Sequence, residues 1–237
     1  MSEEIILYDL ASKQGKCWSL NTWKTRLYLN FKGIPYKTEW IEYPDLKPTF
    51  EKLGIPPNES GFQYTSPTVR LPDGTCIMES RKIADALESK YPNPPLHLDS
   101  PYQSRIEAFM PQLFTPIRPV FVPLVPKVFL NPRSQEYYIA SREKSMGMTL
   151  DQYAQGRDKG FEDAKPFVKQ LGEMLKENPG GPFLMGGEPC YADLVVLGWV
   201  KMMDGLGWKE KFFACEGGEE IKRLYEAGGK WLERDSY

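Results

Sequence analysis

The residues best equipped for chemistry stand close together near the start of the chain, in C-W-S-L-N-T-W-K-T-R-L-Y-L-N-F-K-G-I-P from Cys17 to Pro35. Cys17 offers a thiol, Ser19 and Thr22 hydroxyls, and Asn21 an amide. They could supply a nucleophile, or donors to a bound anion. Leu20, Trp23, Leu27, Phe31 and Ile34 recur at spacings of three and four, which predicts an amphipathic helix opening beside this cluster. Ser19 stands just before the apolar stripe, where a side-chain oxygen can accept an orphan backbone N–H. Lys32, Gly33 and Pro35 supply a last-turn cation, a left-handed stop and a block to continuation. Free N–H groups and the helix dipole favour an anion at the Ser19 end, and a thiolate is such an anion. On this stretch alone Ser19 reads as a cap, so a catalytic role has to come from its surroundings.

Other chemistries find little support. The four cysteines, Cys17, Cys76, Cys190 and Cys215, form no C-x-x-C, and His97 is the one histidine. A metal site and a Ser-His or Cys-His pair therefore lose their basis. At 237 residues the chain is long enough for two small domains, with 41% hydrophobic and 26% charged residues, ordinary for a globular protein. A formal net charge of −2 with interspersed signs gives no basic stripe for nucleic acid and no polybasic patch for a membrane. The opening M-S-E-E-I-I-L-Y-D lacks a basic n-region, so no signal peptide is expected. Tyr191 to Met203 is the most apolar run and is too short to span a bilayer. A reducing, cytoplasmic compartment is the expectation.

The elements that must position the cluster follow from periodicity. Ile5 to Tyr8 reads as a buried strand, and Tyr36, Thr38 and Trp40 alternate with Lys37 and Glu39 as a second, so the helix lies in a β-α-β unit. Leu46 to Leu53 reads as a short helix. Thr68 to Leu71 and Thr75 to Met78 form a hairpin around Pro72-Asp73-Gly74, and Ile83, Leu87 and Tyr91 trace a further helix. Proline-rich Tyr91 to Pro101 has linker composition, with His97 as a surface residue. Beyond it the pattern is helical. Phe161, Ala164, Val168, Leu171 and Leu175 keep helical spacing with Pro166 as a kink, and Tyr191 to Met203 predicts a buried central helix. Asp193 sits in its first turn as a structural cap. Met110 to Arg133 breaks the pattern with Pro111, Pro116, Pro119, Pro123, Pro126 and Pro132, which predicts an extended or broken segment. Its interleaved Phe109, Phe114, Phe121 and Phe129 read either as a pocket wall for flat ligands or as rings packed on a bundle.

This order of elements resembles a cytosolic glutathione transferase: an α/β thioredoxin-like N-terminal domain followed by an all-α helical bundle. The resemblance divides the chain into residues 1–92, a linker at 93–101 and an all-α domain at 102–237. Three motifs carry it. In members with a catalytic Ser or Cys, that residue stands seven before the arginine that Arg26 matches, which selects Ser19 over Cys17. Thr65-Ser66-Pro67-Thr68 is similar to the segment whose cis-proline and preceding backbone hold the cysteinyl part of glutathione. Glu79-Ser80 is similar to acid-serine pairs that bind the γ-glutamyl end. More narrowly, W-S-L-N-T-W-K-T-R, the proline-rich segment and Y-Y-I-A-S-R-E-K-S-M-G from Tyr137 resemble the fungal class related to bacterial lignin β-etherases. Two departures stand out: Leu20 replaces a common proline, and Cys190 replaces the Ser or Thr paired with Asp193.

The resemblance implies a glutathione transferase with glutathione as co-substrate and no metal. Ser19 would stabilise the thiolate, helped by Asn21 and, more weakly, Thr22. Ser66, Pro67, Glu79 and Ser80 would bind the rest of the tripeptide. Trp23, Phe109, Phe114 and Phe121 would line a hydrophobic site for aromatic electrophiles. It also implies a cytoplasmic homodimer acting in detoxification. The alternatives are a largely non-catalytic ligand-binding protein, a glutathione-dependent β-etherase, or a structural module of a larger assembly, with Cys17 retaining a minority claim as the reactive group.

Overall fold

Every residue of the first strand, β1 (Ile5–Leu10), is buried, which suits the interior of a sheet rather than its edge. The computed structural model describes residues 4–236. Met1 to Glu3, on which part of the signal-peptide reading rests, lie outside the described residues. Helix α1 (Leu20–Lys32) follows β1 and ends at Gly33 with φ 64°, the left-handed stop the sequence predicts. Then come β2 (Tyr36–Ile41), a 3-10 turn (Tyr43–Asp45), α2 (Leu46–Lys52), β3 (Thr68–Arg70), β4 (Cys76–Met78) and α3 (Ser80–Lys90). The strand order is β2-β1-β3-β4. β1 runs parallel to β2, with Ile5 opposite Tyr36, and antiparallel to β3, with Tyr8 opposite Thr68. β3 and β4 form the hairpin, whose turn is held by the Thr75 N–H donating to Asp73 Oδ1 at 2.8 Å.

The remainder is helical: α4 (Pro101–Phe121), α5 (Leu124–Val128), α6 (Pro132–Met146), α7 (Leu150–Ala154), α8 (Arg157–Lys176), α9 (Tyr191–Gly205), α10 (Lys209–Phe213), α11 (Gly218–Ala227) and α12 (Gly229–Leu232). α9 is buried almost throughout, as its composition predicts. α1 lies directly against it because Gly198 leaves room. A Cβ there would stand 3.0 Å from the Leu20 carbonyl oxygen and 3.2 Å from Trp23 Cβ.

One expectation fails. Most of Met110 to Arg133 is helical, and α4 runs unbroken through Pro111, Pro116 and Pro119. These prolines remove donors to the carbonyls of Glu107, Gln112 and Thr115. All three residues are exposed, so water can take the missing bonds. Proline therefore costs this helix little on its solvent side, while Ile106, Leu113, Ile117 and Val120 bury the opposite one.

A buried ion pair fixes α1 to the sheet. Arg26 Nη2 donates to Asp9 Oδ2 and Thr38 Oγ1, both at 3.0 Å, and Nη1 donates to the Tyr36 hydroxyl at 3.2 Å. Asp9 and Arg26 are fully buried. These contacts join α1 to both parallel strands and so set where its N-terminal end lies.

Candidate functional site

The loop before Ser19 is anchored by the far domain. Trp18 stacks on Phe129 with ring centroids 5.1 Å apart, the Lys13 N–H donates to the Phe129 carbonyl at 2.8 Å, and Gln14 Nε2 donates to the Val128 carbonyl at 2.8 Å. The proline-rich segment thus contributes Phe129 to holding the loop in place.

Ser19 occupies the N-cap position of α1 but makes no side-chain capping bond. Its hydroxyl has no hydrogen-bond partner among the described residues, and neither have the N–H groups of Leu20, Asn21 and Thr22. No acidic residue stands in the first turn of α1. The positive end of the helix is therefore left uncompensated, and it faces a cavity of about 460 Å³. Ser19, Asn21, Thr65 and Ser66 line that cavity with Tyr43, Lys47, Phe62, Tyr64, Tyr137, Ser141 and Arg142 among others. Lys24 Nζ donates to Asn21 Oδ1 at 2.9 Å, which leaves the Asn21 amide nitrogen as the free end. Burial lowers Lys24 to about 8, against the opposing pull of Glu79 and Glu107.

The two rivals of Ser19 are already engaged. Cys17 is buried, its sulfur lies 3.3 Å from Thr22 Oγ1, and burial together with nearby Asp9 pushes the thiol well above its usual range. It is therefore no ready thiolate. Thr22 is fully buried and donates its hydroxyl to the Ser19 carbonyl at 3.0 Å.

The Ser66–Pro67 peptide is cis. Ser66 Oγ donates to the Tyr8 carbonyl at 3.0 Å, while the Ser66 main-chain N–H and carbonyl have no partner among the described residues. A strand-like partner could therefore pair there. Glu79 precedes α3 with φ 80°, an unusual conformation for a side-chain-bearing residue. Its carboxylate is fixed by Thr65 Oγ1 at 2.5 Å and Asn58 Nδ2 at 3.0 Å. Glu79 borders a second depression of about 820 Å³ that shares Phe62 and Thr65 with the first. Ser80 is the first residue of α3, and its carbonyl accepts the Tyr191 hydroxyl at 3.1 Å. The structure thus gathers Ser19, Asn21, Ser66 and Glu79 along two adjoining depressions.

The predicted hydrophobic wall lies elsewhere. Trp23 is fully buried between α1 and α9, and Phe109 packs on Phe167 at 6.3 Å inside the bundle. Phe114 and Phe121 are half-buried against the core, and none of the four lines the cavity at Ser19. Helical periodicity turns these rings toward the core once α4 is continuous. The aromatic wall is made instead by Tyr43, Phe62 and Tyr137. Tyr137 stacks over Tyr43 at 6.3 Å and 17°, and Phe62 and Tyr137 are 67% and 50% exposed. Contacts between α6 and the turn after β2 set this wall. The Tyr43 N–H donates to Ser134 Oγ at 2.8 Å, Ser134 Oγ donates to Glu42, and Asn131 Nδ2 donates to Glu42 Oε1 at 2.7 Å. The sequence signals available were Tyr137 and Ser141 at helical spacing, and the aromatic pair Phe62 and Tyr64 in the loop after α2.

Comparisons with known proteins agree with this arrangement. Residues 18–90 match the family model "Glutathione S-transferase, N-terminal domain", and residues 104–233 match "Glutathione S-transferase, C-terminal domain". The glutathione S-transferase-like protein ustS of Aspergillus flavus is 30% identical, over 92% of this chain and 86% of its own. Glutathione transferase GSTFuA3 from Phanerochaete chrysosporium superposes with a TM-score of 0.86 at 29% identity, covering 98% of each chain. A glutathione S-transferase of Ceriporiopsis subvermispora, solved with glutathione, superposes with a TM-score of 0.85 at 30% identity, covering 96% of this chain and 97% of that one. A thioredoxin-like sheet with an open helix end, followed by a helical bundle and matched over both parts, makes this chain an enzyme of the glutathione S-transferase family.

Proposed function

We propose that the chain activates glutathione at Ser19 for attack on aromatic electrophiles. The observation that carries this reading is the unpartnered Ser19 hydroxyl at a helix end without acidic compensation, in the cavity that also exposes the free main chain of Ser66. The thiolate is the nucleophile, so the enzyme must favour it over the thiol. The Ser19 O–H donates to the sulfur, the Asn21 amide nitrogen adds a second donor, and the helix dipole favours the charge. Ser66 pairs with the cysteinyl main chain beside Pro67. The Glu79 carboxylate takes the γ-glutamyl ammonium, and Ser80 with the N–H groups of α3 takes its carboxylate. The aromatic acceptor lies against Tyr43, Phe62 and Tyr137. In this reading residues 1–92 hold glutathione, 93–101 link, and 102–237 complete the acceptor site, in a cytoplasmic homodimer that detoxifies plant- or wood-derived aromatics.

Ser19→Ala is expected to lower kcat about 10²- to 10³-fold, the scale for removing one anion-stabilising donor, with glutathione Kd changed less than about threefold. Turnover equal to wild type would refute the role of Ser19. The exposed rings of Phe62 and Tyr137 also favour a second reading, a protein that mainly binds aromatic ligands. Displacement of a fluorescent aromatic probe at saturating glutathione, with negligible conjugation of any electrophile, would favour it.

A further inference from the structure

The Ser19 cavity contains a cation that the transfer of sulfur to a neutral ring does not require. Arg142, on α6, lines the cavity and has no ion-pair partner among the described residues. Arg26, Arg81, Arg105 and Arg133 each face a carboxylate within 3.0 Å. The Arg142 guanidinium instead lies over two aromatic rings, 4.7 Å from the centroid of Tyr138 and 5.1 Å from that of Phe62. Tyr138 is buried and fixes one side of the group, while Phe62 is an exposed ring at the cavity. The Tyr138 hydroxyl takes one Arg142 N–H, and a guanidinium packed on two rings keeps its remaining N–H groups available for an anion.

We infer that Arg142 selects the acceptor: the substrates are aromatic electrophiles carrying a carboxylate or similar anion, with the ring against Phe62 and Tyr137 and the anion on the remaining Arg142 N–H groups. This rests on the transferase reading above. The surroundings decide which anion is meant. A cation set among Phe62, Tyr137 and Tyr138 suits an anion attached to a ring, whereas glutathione has no ring. Lys47, also lining the cavity, is a solvated cation paired only loosely with Glu51 at 3.8 Å and is available for a carboxylate of the tripeptide.

The test compares 4-chloro-3,5-dinitrobenzoate with its methyl ester, at saturating glutathione, in wild type, Arg142→Gln and Arg142→Lys. In both reactions the thiolate sulfur bonds to the ring carbon bearing chlorine and chloride leaves with the bonding pair. The thiol proton goes to the buffer. With kcat/KM for each acceptor divided by its uncatalysed rate constant with glutathione, because the neutral ester is the more activated ring, wild type is expected to favour the carboxylate by about tenfold to a hundredfold, the range of a charge-assisted hydrogen bond. In Arg142→Gln the carboxylate-to-ester ratio should fall toward one, and Arg142→Lys should restore part of it. The same ratio in wild type and Arg142→Gln would overturn the inference, as would a raised KM for glutathione with acceptor preference intact. A parallel binding measurement, quenching of tryptophan fluorescence by unreactive 3,5-dinitrobenzoate and its methyl ester, separates the two claims. Carboxylate preference in binding that is lost in Arg142→Gln, with no turnover of either acceptor by wild type, would overturn the transferase reading and uphold Arg142 as the anion site.

Discussion

Helices α1 and α9 both start at a small polar residue, Ser19 and Cys190, and their starts are handled in opposite ways. At the start of α9, Asp193 is fully buried. Its Oδ2 accepts the Cys190 N–H at 2.8 Å and the Cys190 thiol at 3.2 Å, and its Oδ1 accepts the Leu184 N–H at 2.9 Å. At the start of α1, Ser19 makes no capping bond, the first turn has no acid, and the end opens on a cavity. Orphan N–H groups and dipole are common to both ends. Where Asp193 takes the Cys190 N–H and the Leu96 carbonyl takes the Tyr191 N–H, the helix end becomes structure. Where they are left open beside a free hydroxyl, the same groups are available to an anion brought by the substrate.

Breaking the closed end should have the largest effect on stability. Asp193→Ala strands two N–H donors and a thiol in a buried site, and the expected loss in urea unfolding is about 3–5 kcal/mol. A loss below about 1 kcal/mol would mean that the carboxylate does not hold this end. By contrast, Ser19→Ala should change unfolding free energy by less than about 0.5 kcal/mol, because no capping bond is lost. A loss near 2 kcal/mol would show that Ser19 is a cap after all.

A smaller effect sharpens the same contrast through pH. Burial pushes the Asp193 carboxyl up from 3.8 to about 6, against the pull of its N–H donors. With the folded value above the unfolded one, the native state takes up the proton first as pH falls, so this group adds stability between about pH 6 and pH 4. Wild type should gain about 1 kcal/mol relative to Asp193→Asn on going from pH 7 to pH 5, read from paired urea titrations. A constant difference would place the titration elsewhere. The smallest effect is expected at Cys17: Cys17→Ala should leave kcat within about twofold, since the thiol is buried and held in its protonated form. Loss of turnover there would restore its claim.

Most of the fold was legible because its signals are local. Periodicity and end residues gave α1 between Ser19 and Gly33, alternation gave β2, Pro72-Asp73-Gly74 gave the hairpin, and apolar saturation gave the buried α9. Local rules failed at α4, where proline count suggested a break. Whether a missing donor matters depends on which face its carbonyl occupies, and that is decided by packing. The site divides in the same way. Ser19, Ser66-Pro67 and Glu79-Ser80 could be singled out as motifs because each coincides with a backbone feature, a helix start, a cis-proline or a residue with positive φ, that lies within a short stretch of sequence. The aromatic wall was not, since Tyr43, Phe62 and Tyr137 come together only through the Glu42, Ser134 and Asn131 contacts across the two parts of the chain. Trp23, Phe109, Phe114 and Phe121 carried the right chemistry on faces turned toward the core.

The central claim is that the open end of α1 and the Ser19 hydroxyl lower the thiol pKa of glutathione, and titrating bound glutathione by thiolate ultraviolet absorbance tests it directly. The expected result is a bound thiol about 2 units below the free value in wild type, and at least about 1 unit higher in Ser19→Ala. A bound thiol that titrates identically in the two proteins would contradict the account.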